Sequence, residues 1–532
     1  MPEVVIIGSG CAGTAAALSL AERGIRPCIL DVGEKPPSRA PIQENVYAHC
    51  RENDCFSLFI GDDFAGLDNL TKGEEAVPAK LVSPGIAFVT AGAEARSPLA
   101  QEKFDLIQSF ARGGLANAWG AGLYRFTQRD FEGFPIGPED LRPYHDRLSR
   151  EIGISGTMED DLLPYFGDEA LLQPPLRLSQ NASRILSAYE RKRPGLNGRG
   201  VFMGRPRLGV LSEPYGGREA CDYANLEFWE PNLPHIYTPR KTLDRLIREE
   251  RVDYRSGLLV RRWDRVGDDW AVRAESVRDG SPESVHCRRL ILAAGAAGSA
   301  RLALASRNDH VTRLPLLDNP TLQFPFVLPG RIGAPLETDA FGLTQLNLIL
   351  DGIPDGRLYQ GSLLEVTSPA RAEFFPSFPL AARDNLRLIR FLLPAMCVLQ
   401  LFGPAGPESA ARFSLRTDGK LEIRGGPLQD WKPVIRTVLS VMRRLGVFSH
   451  SKIVVRVPPG HGIHYAGTLP MRNRPGEPYA CSPQGELNGM PGVYVADGAA
   501  FPRLPAKNFS FAVMANAMRT AEWAAESLKE TA

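Results

Sequence analysis

Residues 4–31 read VVIIGSGCAGTAAALSLAERGIRPCILD, and the expected fold follows from this stretch. Val4 to Ile7 is an unbroken apolar run, the pattern of a strand covered on both faces. Ala12 to Glu22 carries alanine and leucine at helical spacing, and Pro27 to Leu30 is a second apolar run that ends at Asp31. Strand, glycine turn, helix and strand make one βαβ unit. Gly8, Gly10 and Gly13 stand in G-x-G-x-x-G order where the strand turns into the helix. The first glycine permits the tight turn, the second lets a pyrophosphate approach the backbone, and the third lets helix and strand pack closely. The helix N-terminus, entered through Cys11 and Ala12, offers amide donors to an anion. Asp31 lies 18 residues beyond Gly13, where a carboxylate can accept hydrogen bonds from a ribose diol. The pattern suits NAD and FAD alike.

Composition narrows the function classes. The chain has 532 residues, 43% hydrophobic and 23% charged, enough apolar material for a large core. Its 62 Lys and Arg against 61 Asp and Glu leave a formal charge of +1, so no global field gathers nucleic acid or an anionic membrane. The basic residues between Arg191 and Arg207 are the one local cluster, expected to be a solvated face. The start MPEVVIIGSG runs directly into the folding motif, so no signal peptide and a cytoplasmic location are expected. Eight cysteines are scattered, and only Cys50 and Cys55 are close, so free thiols are expected with no disulfide frame or metal site. The most apolar stretch, Phe391 to Phe402, is too short for a ~20-residue transmembrane span; it is expected to be a buried helix or cavity-lining element, with a monotopic membrane contact as the alternative.

Farther along, residues 45–97 are rich in Gly, Asp and Pro, as long loops over a site would be. Alternation through Leu258, Val260, Trp263, Trp270 and Val272 predicts a small antiparallel sheet, and RRLILAAG, residues 288–295, a buried strand leading to the Gly295 turn. Proline-punctuated extended segments between residues 316 and 424, including ARFSLR and KLEIRG around the Asp418-Gly419 turn, predict a second, mostly antiparallel sheet. Residues 492–498, GVYVADG, repeat the strand-to-glycine arrangement, and a helix is expected from Ser510 to Leu528.

Several of these stretches together resemble the glucose-methanol-choline oxidoreductases, FAD-dependent enzymes that oxidise alcohols. They are GSGCAG with ILDVG, Gly113-Gly114-Leu115-Ala116-Asn117-Ala118-Trp119-Gly120, LILAAGAAGSARL, HYAGTLPM, and GVYVADGAAFPRLPAKNFSFAVMANAMRTAE. The resemblance implies an α/β fold, α+β overall: a Rossmann-like FAD-binding domain with an interleaved substrate domain on a mostly antiparallel sheet. FAD-binding segments are expected at residues 1–150, 226–305 and 456–532, a connecting segment at 151–225, and the substrate domain at 306–455. It implies a catalytic pair in His464 and Asn508: a neutral imidazole that accepts the substrate hydroxyl proton, and an amide that donates to the developing alkoxide.

His461 competes for the first role, and Asn508 could equally cap the helix beginning near Ser510. Cofactor contacts are expected from Gly113, Gly114, Asn117, Ala118, Trp119, Gly120, Val260, Ala294, Gly295, Asp497, Gly498, Asn508 and Phe509, besides the first glycine loop. Ala118 occupies the place of the histidine that carries covalent FAD in some relatives, so FAD is expected to be non-covalent. Cys221 is the lone cysteine in a segment that is cysteine-rich in certain bacterial relatives, and no metal is expected there. The wording resembles bacterial members acting on carbohydrates or secondary metabolites, so the expected substrate is a hydroxylated small molecule. The electron acceptor is oxygen, a quinone or a protein. An isomerase or lyase using the same pair, and a non-enzymatic flavoprotein, are the competing readings.

Overall fold

A computed structural model describes residues 1–38, 61, 78–366, 381–474 and 476–530. Cys50 and Cys55, and most of the 45–97 segment, lie outside these residues. The central element is the strand Val4–Ile7, the middle of a five-stranded parallel sheet. On one side it pairs with Cys28–Leu30, which pairs with Asp253–Arg255; on the other it pairs with Arg289–Leu292, which pairs with Val493–Val495. The strand residues of Val4–Ile7, Cys28–Leu30 and Val493–Val495 are all buried, as the uninterrupted apolar runs require.

The helix Cys11–Glu22 and the C-terminal helix Ser510–Glu530 pack against each other beside this sheet. Both helices are rich in buried alanine: Ala15, Ala16 and Ala17 on one, Ala515, Ala517 and Ala521 on the other, are all essentially inaccessible. Small side chains let the two helix backbones approach closely, and Ser19 Oγ donates to the Met518 carbonyl at 3.1 Å. The predicted small antiparallel sheet forms from Leu258–Val266, Asp269–Ser276 and a third strand, Pro282–Cys287.

A six-stranded antiparallel sheet forms the second half of the molecule, in the order Val455–Arg456, Thr321–Val327, Met396–Phe402, Leu358–Glu365, Thr344–Asp351, Val201–Gly204. One face carries Leu322, Phe324, Phe326, Leu399 and Leu401 into a core closed by the helices Gln180–Asn197 and Lys432–Arg444. The period of two sends Gln323, Pro325, Ser362 and Gln400 to the opposite face, which lines a cavity.

Of its two expected forms, the apolar stretch 391–402 takes the cavity-lining element and not the buried helix: the helix Ala382–Leu392 ends, Pro394 sits in a single tight turn, and Met396–Phe402 is a strand with partners on both edges whose Val398, Gln400 and Phe402 line the cavity. A short apolar run has no period that separates strand from helix, and the two neighbouring strands decide it. ARFSLR and KLEIRG do form a hairpin, Ala411–Leu415 with Leu421–Arg424, but not in the six-stranded sheet. With Leu314–Leu316 and Leu99–Glu102 they make a separate four-stranded sheet whose apolar side chains join the core of the parallel sheet.

The Arg191 to Arg207 residues do not form one patch: Arg193 pairs with Asp161 on the surface, whereas Arg207 is buried and donates to the Phe166 carbonyl at 2.9 Å. No helix among the described residues is long and apolar enough to cross a membrane.

Leu401→Ala should lower the unfolding free energy by about 2–5 kcal/mol, the cost of emptying a closed core site. Phe391 is 63% exposed, so Phe391→Ser should change it by less than about 0.5 kcal/mol. Denaturant midpoints measure both, and a reversed order would contradict the strand assignment.

Candidate active site

The first glycine turn is built so tightly that side chains are excluded. Gly8 has φ +96°, and a Cβ there would lie 2.6 Å from the Ala293 carbonyl oxygen. A Cβ on Gly13 would lie 1.9 Å from the Gly8 carbonyl oxygen, which is why helix and strand meet only through glycine. Gly10, by contrast, faces open space, and the helix it precedes has no side-chain cap. Its first-turn amides are therefore available to an anion in the cavity. Asp31 closes the far end of this cradle. Its Oδ2 accepts from Ser9 Oγ and from the Tyr254 hydroxyl at 3.1 Å, while burial pushes its carboxyl up to about 6.

The cradle opens into a cavity of about 1270 Å³ that runs from Asp31 to the exposed face of the six-stranded sheet. Gly8, Gly10, Cys11, Ala12 and Asp31 line one end. Gly114, Ala118, Trp119 and Gly120 line it from a loop that crosses the first one, a Cβ on Gly114 being 3.2 Å from Gly10 Cα. Val260, Ala294, Gly295, Asp497, Gly498 and Phe509 also face it.

Gly13, Gly113 and Asn117 do not line it. Asn117 instead ties its own loop, Nδ2 donating to the Arg112 and Gly114 carbonyls at 3.0 and 2.7 Å while Oδ1 accepts from Arg240 Nε at 2.6 Å. Gly113 is pressed against the Arg240 side chain. The Asp497 carboxylate is likewise engaged, accepting from Ser299 Oγ at 2.5 Å and the Ala499 amide at 2.9 Å, so it fastens the helix Gly295–Ser306 to the last strand.

His464 and Asn508 both reach this cavity. Phe402 lies against the His464 ring at 5.0 Å between centroids, and Phe509 meets it edge-on at 5.4 Å. Burial holds the imidazole down to about 4, so it is neutral near pH 7. Its tautomer follows from Asn319. Nδ2 of Asn319 donates to the Gly403 and Pro505 carbonyls at 2.8 and 3.0 Å, which leaves Oδ1 as the atom 2.9 Å from His464 Nδ1. Nδ1 must then carry the proton, and Nε2 keeps its lone pair. Asn508 does not cap the following helix, since its Oδ1 accepts no hydrogen bond. His461 also lines the cavity, but its Nε2 is turned toward Asp105, 3.8 Å away.

Asp318 and Asn319 were not legible as site residues. Asp-Asn-Pro before a strand reads as a turn, and nothing in the sequence links it to a histidine 145 positions later. Asp318 accepts the Gly460 and His464 amides at 2.8 and 3.1 Å, so the pair holds the histidine loop by backbone and by ring.

Residues 452–517 match the GMC oxidoreductase family, and residues 3–38 match the FAD binding domain family. Residues 452–517 are thus a GMC oxidoreductase domain and residues 3–38 an FAD-binding segment. The structure superposes on that of pyridoxine 4-oxidase from Mesorbium loti with a TM-score of 0.59 at 16% identity, covering 98% of this chain and 99% of the other. A sequence search among curated proteins returned no match. FAD is the cofactor, and the open helix N-terminus, the glycine contacts that admit no Cβ and the Asp31 acceptor fit its adenosine diphosphate portion.

Asp31→Ala removes a charge-assisted acceptor worth ~1.5–3 kcal/mol, so FAD should dissociate roughly ten- to a hundredfold more readily. Fluorescence titration of the apoprotein with FAD measures it, and unchanged affinity would remove Asp31 from the nucleotide site.

Proposed function

We propose that this chain is a GMC oxidoreductase that oxidises an alcohol group of a neutral, hydroxylated small molecule, a sugar, glycoside or hydroxylated secondary metabolite, to a carbonyl. The observation that carries the reading is the His464 tautomer: a neutral imidazole whose Nδ1 is bonded to Asn319 Oδ1 at 2.9 Å and whose Nε2 is left as an acceptor. Nε2 takes the substrate hydroxyl proton. The Asn508 side chain borders the same space, and its Nδ2 donates to the oxygen as negative charge grows on it. Bound FAD supplies the hydride acceptor. Ala118 offers no atom for a covalent link, so the cofactor is held by the cradle alone.

The substrate class rests on the sheet face opposite the cradle. Gln323, Gln400 and Ser362 stand side by side on adjacent strands, in register with Asn347 beyond them. Asn347 is occupied by the Tyr124 hydroxyl at 2.8 Å, whereas the two glutamine amides make no hydrogen bond among the described residues and border the cavity. Uncharged amides and a hydroxyl in a row suit a ligand rich in hydroxyl groups. Glu365, three residues beyond Ser362 on the same strand, also borders the cavity, and burial pushes it up to about 7, which weakens its negative charge.

His464→Ala should keep bound FAD yet reduce it anaerobically with an alcohol substrate at least about a hundredfold more slowly, the scale of a positioned base. Asn508→Ala should cost about ten- to a thousandfold. Stopped-flow absorbance measures both, and an unchanged His464→Ala rate would remove the base. Turnover without flavin bleaching would point to isomerase or lyase chemistry instead.

The pH profile gives an independent check. Because the His464 imidazole is held down to about 4, its base form persists well below neutrality, and flavin reduction should fall only as pH drops toward that value. Asn319→Asp places a carboxylate at Nδ1, favours imidazolium, and should move this acid limb upward; Asn319→Leu should slow reduction without an upward move. Coincident limbs in wild type and Asn319→Asp would show that Asn319 does not act through His464.

A further inference from the structure

We propose that Cys221, Glu227 and His235 form a binding site for one divalent transition-metal ion, zinc being the ion this donor set suits best. The thiol, one carboxylate oxygen and one ring nitrogen lie within 4.8 Å of one another, and the residues are 8%, 2% and 1% exposed. These are buried polar groups without their usual partners. Neither Nδ1 nor Nε2 of His235 makes a hydrogen bond, nor does Glu227 Oε1. A buried imidazole and a buried carboxylate oxygen this close, with neither bonded to the other nor to the surroundings, leave desolvation uncompensated unless a further group lies between them.

The backbone holds the three in place. Leu211 accepts the Cys221 amide at 2.8 Å and donates its own amide to the His235 carbonyl at 2.9 Å, so two of the donors are pinned to one residue. The other carboxylate oxygen, Glu227 Oε2, accepts the Gly342 amide at 3.1 Å, which turns Oε1 toward the gap. Between Cys221 and Glu227 the chain bends through Tyr223 and Asn225, both in the left-handed region with φ +57° and +59°.

The donor chemistry selects the ion. Thiolate, carboxylate and imidazole together suit zinc. Asp222 adds a negative charge near all three and Lys80 a positive one near Glu227, so a divalent cation offsets the two anionic ligands beneath the apolar Leu226, Leu233, Ile236, Phe341 and Leu343. Binding releases the thiol proton to solvent, and water completes a tetrahedral zinc. The ion would brace residues 221–235 behind Phe228 and Trp119, which face the cavity. Sequence spacing alone hides this site, because one cysteine, one glutamate and one histidine match no metal motif.

The test is elemental analysis of the FAD-loaded full chain, purified without metal-affinity steps, incubated with zinc chloride and dialysed. One zinc per chain is expected, with X-ray absorption showing one sulfur at about 2.3 Å and nitrogen or oxygen at about 2.0–2.1 Å. Cys221→Ser and His235→Gln should each lose the ion while keeping flavin absorbance. Removal of the ion from wild type by a chelator should lower the melting temperature, and zinc should restore it, which needs no variant to fold. Wild type without stoichiometric zinc, zinc lacking a sulfur ligand, or both variants retaining full zinc would each overturn the site.

Discussion

The strand Val4–Ile7 can be buried only if both its edges are paired, and that constraint organises the chain. One edge is met locally, by Cys28–Leu30 after a single helix, but the other waits for Arg289–Leu292, which in turn waits for Val493–Val495. The sheet is therefore closed by residues from the two ends and the middle of the sequence. Everything between them must leave this core and return to it. The six-stranded sheet is one such excursion, and the cavity is the space left where it faces back toward the glycine turn.

Asp318 and Asn319 sit at the junction of the two halves, between Leu314–Leu316 in one sheet and Thr321–Val327 in the other. From there Asn319 binds the residue after the strand Met396–Phe402 at Gly403, the segment leading to Asn508 at Pro505, and the ring of His464. One fully buried amide thus couples the relative placement of the two halves to the protonation pattern of the proposed base. The low polarity that keeps His464 neutral comes from the same packing, with Phe402 and Phe509 against its ring.

Much of this was legible where local geometry demands particular residues. Gly8 and Gly13 are required by contacts that admit no Cβ, and such positions leave a mark in sequence. Gly295 is marked instead by its φ of +79°, and Asp31 by its place directly after the strand Cys28–Leu30. Asn117 was read as a cofactor contact because it sits in the right loop, yet its amide is spent on that loop and on Arg240. The apolar run 391–402 left helix and cavity-lining element open because its period is silent on the matter, and only pairing with Thr321–Val327 and Leu358–Glu365 makes Met396–Phe402 a strand beside the cavity.

By itself, the sequence determined the βαβ nucleotide unit, the glycine turns, and the presence of a histidine and an asparagine near the C-terminus in a familiar order. These are short-range facts: each depends on residues within a few turns of one another. The tertiary structure alone decided which nitrogen of His464 is free, that Gln323, Gln400 and Ser362 line up across three strands, and that Cys221, Glu227 and His235 converge. These depend on strand register and on hydrogen bonds between segments far apart in the chain, and no local pattern of residue types encodes a register.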